Sequence, residues 1–327
     1  MGVGHLLGKL FGGEGAKNEA VLRAYGKLPF YAEYRRLEVS PGAPTAYSQW
    51  LDEGRLAWAR SPSHSERGSV LPSRLLIGMP GTKDVVVANV WDSRDSLGRV
   101  FPFSFFVTCP LEALGSDPVE RLITVSSLHT QFERLHGQLL TLASGGDFYR
   151  RFNKHMVMLK PEDLADRARA LREEAARIAA ESWLRGLSTT KETTTEEWFG
   201  NLLRRVERWR GHSTETNNLA ISCPIVAELS ASAQIVLWFE WLDGMIRRTG
   251  RSPWILMSME AERRRGDLNL LLREPLPDDF QLMTTDADAY GFVEHLALLS
   301  SNASGPQPSA NVQPTDSVLT WLKQHAP

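Results

Sequence analysis

Glycine-rich turns are the first places to look for nucleotide chemistry, because phosphate binds backbone amides at the start of a helix. Gly2, Gly4 and Gly8 have the wrong spacing for such a loop and follow no strand. The segment 78–83 lacks the Gly-Lys-Ser/Thr ending, and its Pro80 has no amide to donate. We therefore expect neither segment to bind phosphate.

Histidines and paired acidic residues could supply metal ligands or transfer protons, but their spacing matches no known ligand pattern. His129 and His136 lie two helical turns apart, without a His-Glu-x-x-His sequence. The pairs Asp278–Asp279 and Asp286 with Asp288 stand in turn-like sequence, which is typical of loop caps. The sequence predicts no metal, no cofactor and no enzymatic activity. The alternative is an unrecognised hydrolase or nucleotide-dependent switch that uses these histidines and acidic loops.

The segment Asp92–Phe103 combines a charged loop with the start of an apolar strand. Its Asp and Ser side chains can hydrogen-bond loop amides, and Gly98 permits a positive φ. Arg99 carries a planar guanidinium that can bind a carboxylate or several carbonyl oxygens. Two interpretations stay open: Arg99 holds the loop together, or it binds a partner.

Three apolar runs in the first half predict neighbouring strands. Leu75–Met79 and Val85–Trp91 flank a Pro-Gly turn at 80–83, and Val100–Thr108 follows a polar loop. Connections this short favour antiparallel pairing. Asp117, followed by proline, marks the start of a helix that packs on these strands.

The second half repeats this arrangement without repeating its residues. Leu219–Val226 predicts a strand, and Ser230 caps the long helix that follows. Trp254–Met259 and Leu268–Leu272 predict a hairpin, and Phe280–Met283 predicts a further strand. The sequence therefore predicts the α+β class, with two mixed domains that each have an antiparallel sheet packed by helices.

Composition changes divide the 327 residues into five parts. These are a flexible Gly-rich N-terminus (1–19), an N-terminal domain (20–160), a helical connection with a polar linker (161–215), a C-terminal α+β domain (216–300) and a Ser/Pro-rich tail with a short terminal helix (301–327). The four arginines between Arg204 and Arg210 are either a solvated helix face or a patch for an acidic partner.

Charge and hydropathy exclude several classes of function. A formal net charge of -2 gives no overall attraction to nucleic acid. The most apolar stretch, Ile235–Leu242, is too short to cross a bilayer and contains Glu240. Residues 1–11 lack the pattern of a secretory signal, and Cys109 and Cys223 form no ligand or disulfide pattern. We expect a cytoplasmic protein that neither binds nucleic acid nor inserts into a membrane, with both cysteines buried.

Three motifs occur in order along the first domain. Tyr25–Pro29 reads Tyr-Gly-Lys-Leu-Pro, Tyr47–Leu51 ends in Trp-Leu, and Asp92–Phe103 contains Gly-Arg and Phe-Pro. Together they resemble the characteristic motifs of the TagF (ImpM) family of the bacterial type VI secretion system. A weaker resemblance continues through the second half, so that most of residues 20–285 is covered. One departure is Tyr31–Tyr34, where the family usually continues with an Arg-Gly-Asp-Phe-like run.

This resemblance implies a mixed α+β N-terminal domain, with a longin-like fold as one form of it. It also implies a post-translational repressor of type VI secretion that binds the forkhead-associated (FHA) scaffold protein. The residues singled out for partner binding are Tyr25, Gly26, Lys27, Pro29, Trp50, Asp92, Asp95, Gly98, Arg99, Phe101 and Pro102. We place the contact surface near Lys27 and the loop from Asp92 to Arg99, since loops commonly carry recognition. A longin-like adaptor of a small GTPase is the alternative within the binding class.

Overall fold

The computed structural model describes most of the first half of the chain and parts of the second. The described residues are 18–62, 68–139, 141–142, 144–179, 182–183, 220–226, 229–249, 254–258, 266–271, 274–285 and 293–295. Residues 1–17 of the predicted flexible N-terminus, the polar linker predicted within 161–215, the arginines between Arg204 and Arg210, Asp286 with Asp288, and the tail 301–327 lie outside these residues.

The described residues form eleven strands and five α-helices. The strands are β1 (Glu19–Ala20), β2 (Arg23–Gly26), β3 (Arg35–Leu37), β4 (Ser73–Gly78), β5 (Asp84–Trp91), β6 (Phe103–Pro110), β7 (Val157–Met158), β8 (Ala220–Ile225), β9 (Trp254–Ser258), β10 (Gly266–Leu271) and β11 (Val293–His295). The helices are α1 (Ala43–Arg60), α2 (Pro118–Leu139), α3 (Gly145–Lys154), α4 (Leu164–Ala176) and α5 (Ala231–Thr249), with 3-10 helices at Leu111–Leu114 and Pro277–Met283. None of the helices described is both long and apolar enough to span a bilayer.

Nine of these strands form one sheet in the order β11-β8-β10-β9-β4-β5-β6-β2-β3, and β1 pairs with β7 in a separate ribbon. Neighbouring strands are antiparallel except β11 and β8, which are parallel. The three strands predicted in the first half are β4, β5 and β6, and the turn at 80–83 joins the first two. The α+β class and the antiparallel pairing are confirmed.

The sheet passes from the first half of the chain into the second through a single pair of strands. β4 and β9 run antiparallel, with Ser73 opposite Ser258 and Leu76 opposite Ile255. This pairing satisfies a strand edge that an isolated first domain would expose. The domain boundaries and the longin-like character stay predictions, but the described parts of the two halves share one sheet.

Helices cover both faces of this sheet, and the central strands alternate between the two cores. In β5, Val86, Ala88 and Val90 belong to the core under α1, whereas Val85 and Val87 belong to the core under α2 and α3. Such alternation follows from the two-residue period of a strand, and burial on both sides explains why β5 is almost continuously apolar.

The segment Phe280–Met283, predicted as a strand, lies instead in the 3-10 helix Pro277–Met283. A short apolar run does not distinguish a strand from a buried helical turn. Here Pro277 favours a helical first turn, and the Asp279 carboxylate accepts a hydrogen bond from the Leu276 amide at 2.7 Å. Asp279 therefore caps this turn, in agreement with the loop-cap interpretation of the acidic pair.

Helix α1 approaches this 3-10 helix closely at Gly54. A Cβ atom on Gly54 would lie 2.5 Å from Phe280 Cβ and 2.9 Å from the Pro277 carbonyl oxygen. One turn earlier, Trp50 donates its indole Nε1–H to the Leu276 carbonyl oxygen at 2.8 Å. A glycine that weakens an isolated helix is therefore what lets the two elements touch.

Gly54→Ala is expected to destabilise the protein by about 1–3 kcal/mol through overpacking, although alanine is the better helix former by about 1 kcal/mol. Gly137→Ala in α2 is the matched control, because no atom of the described residues lies within 4 Å of a Cβ at Gly137. That variant should gain about 0.5–1 kcal/mol. Urea unfolding measures both changes, and a stabilised Gly54→Ala protein would contradict this account of the packing.

Candidate partner-binding site

Two of the three motifs meet where β2 ends beside the loop between β5 and β6. Gly26 has a φ of 126°, and a Cβ there would lie 2.1 Å from the Pro102 carbonyl oxygen. Phe101 packs edge-on against Tyr25, with ring centroids 6.0 Å apart. Gly98 also has a positive φ, 79°, within the loop. The glycines of both motifs therefore adopt positive-φ backbone conformations that residues with a Cβ rarely adopt.

A buried ion pair joins these motifs. Lys27 Nζ lies 3.0 Å from Asp95 Oδ2, and the two side chains are 6% and 0% exposed. The contact surface expected near Lys27 stays a prediction, and the Lys27 side chain itself is too buried to take part in it directly. The Ser93 hydroxyl donates to the Lys27 carbonyl oxygen at 2.8 Å. Lys27 and Asp95 therefore support the 92–99 loop, meaning residues Asp92 to Arg99, from beneath.

The Asp95 carboxylate organises the 92–99 loop. Its Oδ1 accepts the backbone amides of Leu97 and Arg99 at 3.0 and 2.9 Å, and its Oδ2 accepts Arg99 Nε–H at 2.7 Å. Burial alone would raise the pKa of this carboxyl group. Hydrogen bonds from Lys27 and from the backbone and side chain of Arg99 outweigh burial and hold the pKa well below its ordinary value. Asp95 is therefore a carboxylate wherever the protein is folded near neutral pH.

Arg99 connects the loop to the segment between β2 and β3. Besides Asp95, its guanidinium donates to the Ala32 carbonyl oxygen. Nearby, the Ser96 amide donates to the Tyr31 carbonyl oxygen at 3.0 Å. The Arg99 side chain is nevertheless 52% exposed. These contacts agree with the loop-holding interpretation, and the exposed half of the side chain leaves partner binding open.

The Tyr31–Tyr34 departure is accommodated by backbone contacts and ring packing. The Tyr31 and Ala32 carbonyl oxygens accept the hydrogen bonds from the 92–99 loop. Because they are backbone atoms, any residue type at these positions could supply them. The Tyr34 ring meets Phe101 edge-on with centroids 4.7 Å apart, and Lys27 Nζ lies 5.1 Å from the Tyr34 centroid. Tyr34 is not among the site residues predicted from the sequence. An aromatic residue five positions after the Tyr-Gly-Lys-Leu-Pro motif could have indicated that its ring packs on that motif.

The other motif residues lie outside the loop contacts. Trp50 bonds the Leu276 carbonyl and belongs to the α1 packing, and Pro29 is exposed. The Tyr25 hydroxyl donates to the Asp52 carboxylate of α1 at 2.7 Å. Asp52 is a further residue that sequence reasoning misses, since its partner lies on a different element and no local spacing marks the pair.

The tip of the 92–99 loop is the part available to a partner. Leu97 has a side chain that is 67% exposed, and Asp92 and Arg94 are exposed within the same loop. The backbone of the tip is held by the Gly98 amide donating to the Asp95 carbonyl oxygen at 2.9 Å. This arrangement presents an apolar side chain among charged ones on a loop of fixed shape.

The two histidines of the alternative site each contact β5 separately. His129 Nδ1 lies 2.5 Å from Asn89 Oδ1, and the His136 ring stacks on Trp91 with centroids 4.0 Å apart. Within the ranges that the structure describes, no group of three His, Cys, Asp or Glu side chains could hold a metal ion. Both cysteines are buried and free, as expected for small apolar side chains.

Burial gives these histidines unusual titration behaviour. It lowers the pKa of His136 to about 4, and together with the Arg74 guanidinium it holds the pKa of His129 well below its ordinary value. In the unfolded chain both would titrate near pH 6.5, so between about pH 6.5 and 4 the unfolded state binds more protons. Their contribution to stability is complete above about pH 6.5 and is lost as the pH falls.

We expect the free energy of unfolding to fall between about pH 7 and 5. His136→Phe keeps a ring against Trp91 without a titrating nitrogen, and it should remove on the order of 1–2 kcal/mol of that fall. Urea unfolding of both proteins at the two pH values measures the difference. The assigned cause is wrong if the fall is the same in both.

Comparison with known proteins finds a similar solved structure but no matching protein family. No family model and no curated protein sequence matches the chain. Among solved structures, the chain is similar to the crystal structure of PA0076 from Pseudomonas aeruginosa PAO1, with 17% sequence identity and a TM-score of 0.32. The likeness covers 46% of this chain and 76% of that one. A TM-score this low assigns neither a family nor a function to the chain.

Proposed function

We propose that this chain is a cytoplasmic, non-enzymatic accessory protein of the bacterial type VI secretion system. In this proposal it binds the FHA-domain scaffold protein and represses secretion after translation. The motifs at Tyr25–Pro29, Tyr47–Leu51 and Asp92–Phe103 carry the link to that system. The contact is assigned to the tip of the 92–99 loop.

The binding role rests on the contrast between the base and the tip of this loop. Lys27 and Asp95 are buried at the base, and Leu97 is largely exposed at the tip. A buried ion pair is costly to desolvate and is weak grounds for stability on its own. Its presence beneath an exposed loop supports a role in fixing the shape of that loop. A loop fixed in advance loses less conformational entropy when it binds.

The non-enzymatic part of the proposal is supported by the contacts of the candidate catalytic groups. His129 contacts Asn89, His136 stacks on Trp91, and burial favours the neutral form of both imidazoles. Both side chains are engaged with β5 and are accounted for by packing. Saturable binding of ATP or GTP, or one bound zinc ion per chain in elemental analysis, would contradict this part.

Co-purification of the scaffold protein with the full chain tests the proposal, and fragments are unsuitable because β4 pairs with β9. Leu97→Asp should weaken retention about tenfold or more, because a charge at an apolar contact costs at least about 1.4 kcal/mol. Leu56→Asp is the matched control, since Leu56 on α1 is 54% exposed and lies outside the loop. It should retain the scaffold like the wild type.

Secretion assays provide the functional half of the test. Overproduction of the chain should lower type VI secretion while transcript levels stay the same. The proposal fails if the wild-type chain does not retain the scaffold and secretion is indifferent to its dosage. If both leucine variants bind like the wild type, the assignment to the 92–99 loop is wrong.

A further inference from the structure

The β1–β7 ribbon has an inner face in the core and an outer face that carries exposed apolar side chains. Its register pairs Glu19 with Met158 and Ala20 with Val157. Val157 is fully buried in the core under α2 and α3. Because side chains alternate along a strand, the residues on either side of Val157 point outward. The outer face is therefore formed by Met156 and Met158 from this side of the ribbon.

Val21 and Glu19 contribute to the outer face from the β1 side, with Glu19 directly opposite Met158. Continuing the register by one residue places Val21 opposite Met156, where directly opposed Cβ atoms lie about 4.5–5.5 Å apart. The exposed fractions of Val21, Met156 and Met158 are 48%, 60% and 40%. Single exposed apolar residues are normal, whereas contiguous exposed apolar side chains are typical of surfaces that bind something. We call Val21, Met156 and Met158 the ribbon patch.

The chain enters the fold directly beside the ribbon patch. Asn18 Oδ1 accepts the Lys160 amide at 2.8 Å, and its Nδ2 donates to the Lys160 carbonyl oxygen at 2.9 Å. The Leu159 amide donates to the Asn18 carbonyl oxygen at 2.7 Å. These bonds fix Asn18 one residue from the Glu19–Met158 pair. Residues 1–17 therefore join the fold next to the patch, and a tether this short gives a high effective concentration, in the millimolar range.

The sequence of residues 1–17 supplies an apolar face of matching kind. Its five apolar residues after Met1 and before the glycine-rich stretch 12–15 are Val3, Leu6, Leu7, Leu10 and Phe11. Their spacing of three, one, three and one is that of one face of a helix. A helix of about this length is marginal alone in water, so the stripe needs a surface to pack on. The glycines at 12–15 permit the chain to turn back toward the ribbon.

We propose that the apolar stripe of residues 3–11 docks on the ribbon patch of its own chain. The occupant is chosen by position, because residues 1–17 join the fold beside the patch, and by chemistry, because the stripe is aliphatic and aromatic and the patch is aliphatic and thioether. Docking covers the side chains of Met156 and Met158. This inference is independent of the proposed role in secretion.

Methionine oxidation reports directly on this docking, because sulfoxide formation follows exposure. The full chain is treated with hydrogen peroxide, and sulfoxide at each methionine is followed by peptide mass spectrometry. In the wild type, Met156 and Met158 should react slowly. The double variant Leu6→Ser/Leu10→Ser should oxidise at both positions several-fold faster. The double variant His5→Ser/Lys9→Ser, off the stripe, should behave like the wild type.

Met79, which is buried, is the internal reference and should stay unreactive in all three proteins. The proposal is overturned if Met156 and Met158 react equally fast in the wild type and the stripe variant. Protection in the wild type that disappears on dilution would assign the patch to a second copy instead. Protection that arises only when phosphatidylglycerol vesicles are added would assign the stripe to a membrane surface, and would equally overturn docking on the ribbon.

Discussion

Asp95→Asn is expected to lower the free energy of unfolding by about 3–5 kcal/mol. Asparagine keeps an oxygen that can accept the amides of Leu97 and Arg99. It leaves Lys27, however, buried and without the counter-ion that lies 3.0 Å away. Most of the loss therefore comes from a stranded buried charge rather than from missing loop hydrogen bonds. Urea unfolding measures it.

Two further variants identify the stranded charge as the cause. Glu33→Gln neutralises an exposed carboxylate next to Ala32, which accepts a hydrogen bond from Arg99, and should change stability by less than about 0.5 kcal/mol. Lys27→Met in the Asp95→Asn background removes the stranded charge and should recover much of the loss. If Asp95→Asn alone is as stable as the wild type, the buried pair does not hold the loop and the description of the site is wrong.

Gly26→Ala is expected to destabilise the protein for two separate reasons. An L-residue at φ 126° costs about 1–3 kcal/mol. The added Cβ would also lie 2.1 Å from the Pro102 carbonyl oxygen and 2.8 Å from Phe103 Cα. Both are backbone atoms of the strand entry that pairs with Gly26, so no side-chain rotation relieves the clash. Overpacking of this kind adds about 1–3 kcal/mol.

Gly98→Ala is the matched control, because it measures the cost of a positive φ without the clash. Gly98 also has a positive φ, but in the described part of the chain nothing lies within 4 Å of a Cβ at that position. Its substitution should therefore cost only about 1–2 kcal/mol. Thermal or urea unfolding of the two variants gives the comparison. Equal losses would mean that the approach of Gly26 to Pro102 contributes nothing.

The regular elements of the first half could be predicted because their signals are local. Alternating and continuous apolar runs marked β4 and β5, and the Pro-Gly pair marked the turn between them. Asp117 before Pro118 marked the start of α2, where the Asp117 carboxylate accepts the amides of Val119 and Glu120. Each of these features depends on residues close in sequence. The same holds for Asp95 and Arg99, which are four residues apart.

Contacts between distant residues could not be predicted in the same way. The pairing of β4 with β9 depends on two free strand edges meeting, and side-chain patterns do not specify which edges meet. Burial of Lys27 depends on Asp95 reaching it from another loop. Gly54 resembles a weak point in a helix until Phe280 is placed against it. The prediction of a strand at Phe280–Met283 was wrong, because a short apolar run fits a buried 3-10 helix as well as a strand.

Calorimetric titration of the purified full chain with the purified FHA-domain scaffold protein tests the central claim most directly. An interface of standard size buries about 800 Å² on each partner and gives a Kd of about 1 μM or tighter. The account predicts saturable binding in that range, weakened by Leu97→Asp and unchanged by Leu56→Asp. The absence of saturable binding at protein concentrations of about 100 μM, a hundredfold above that Kd, would contradict it.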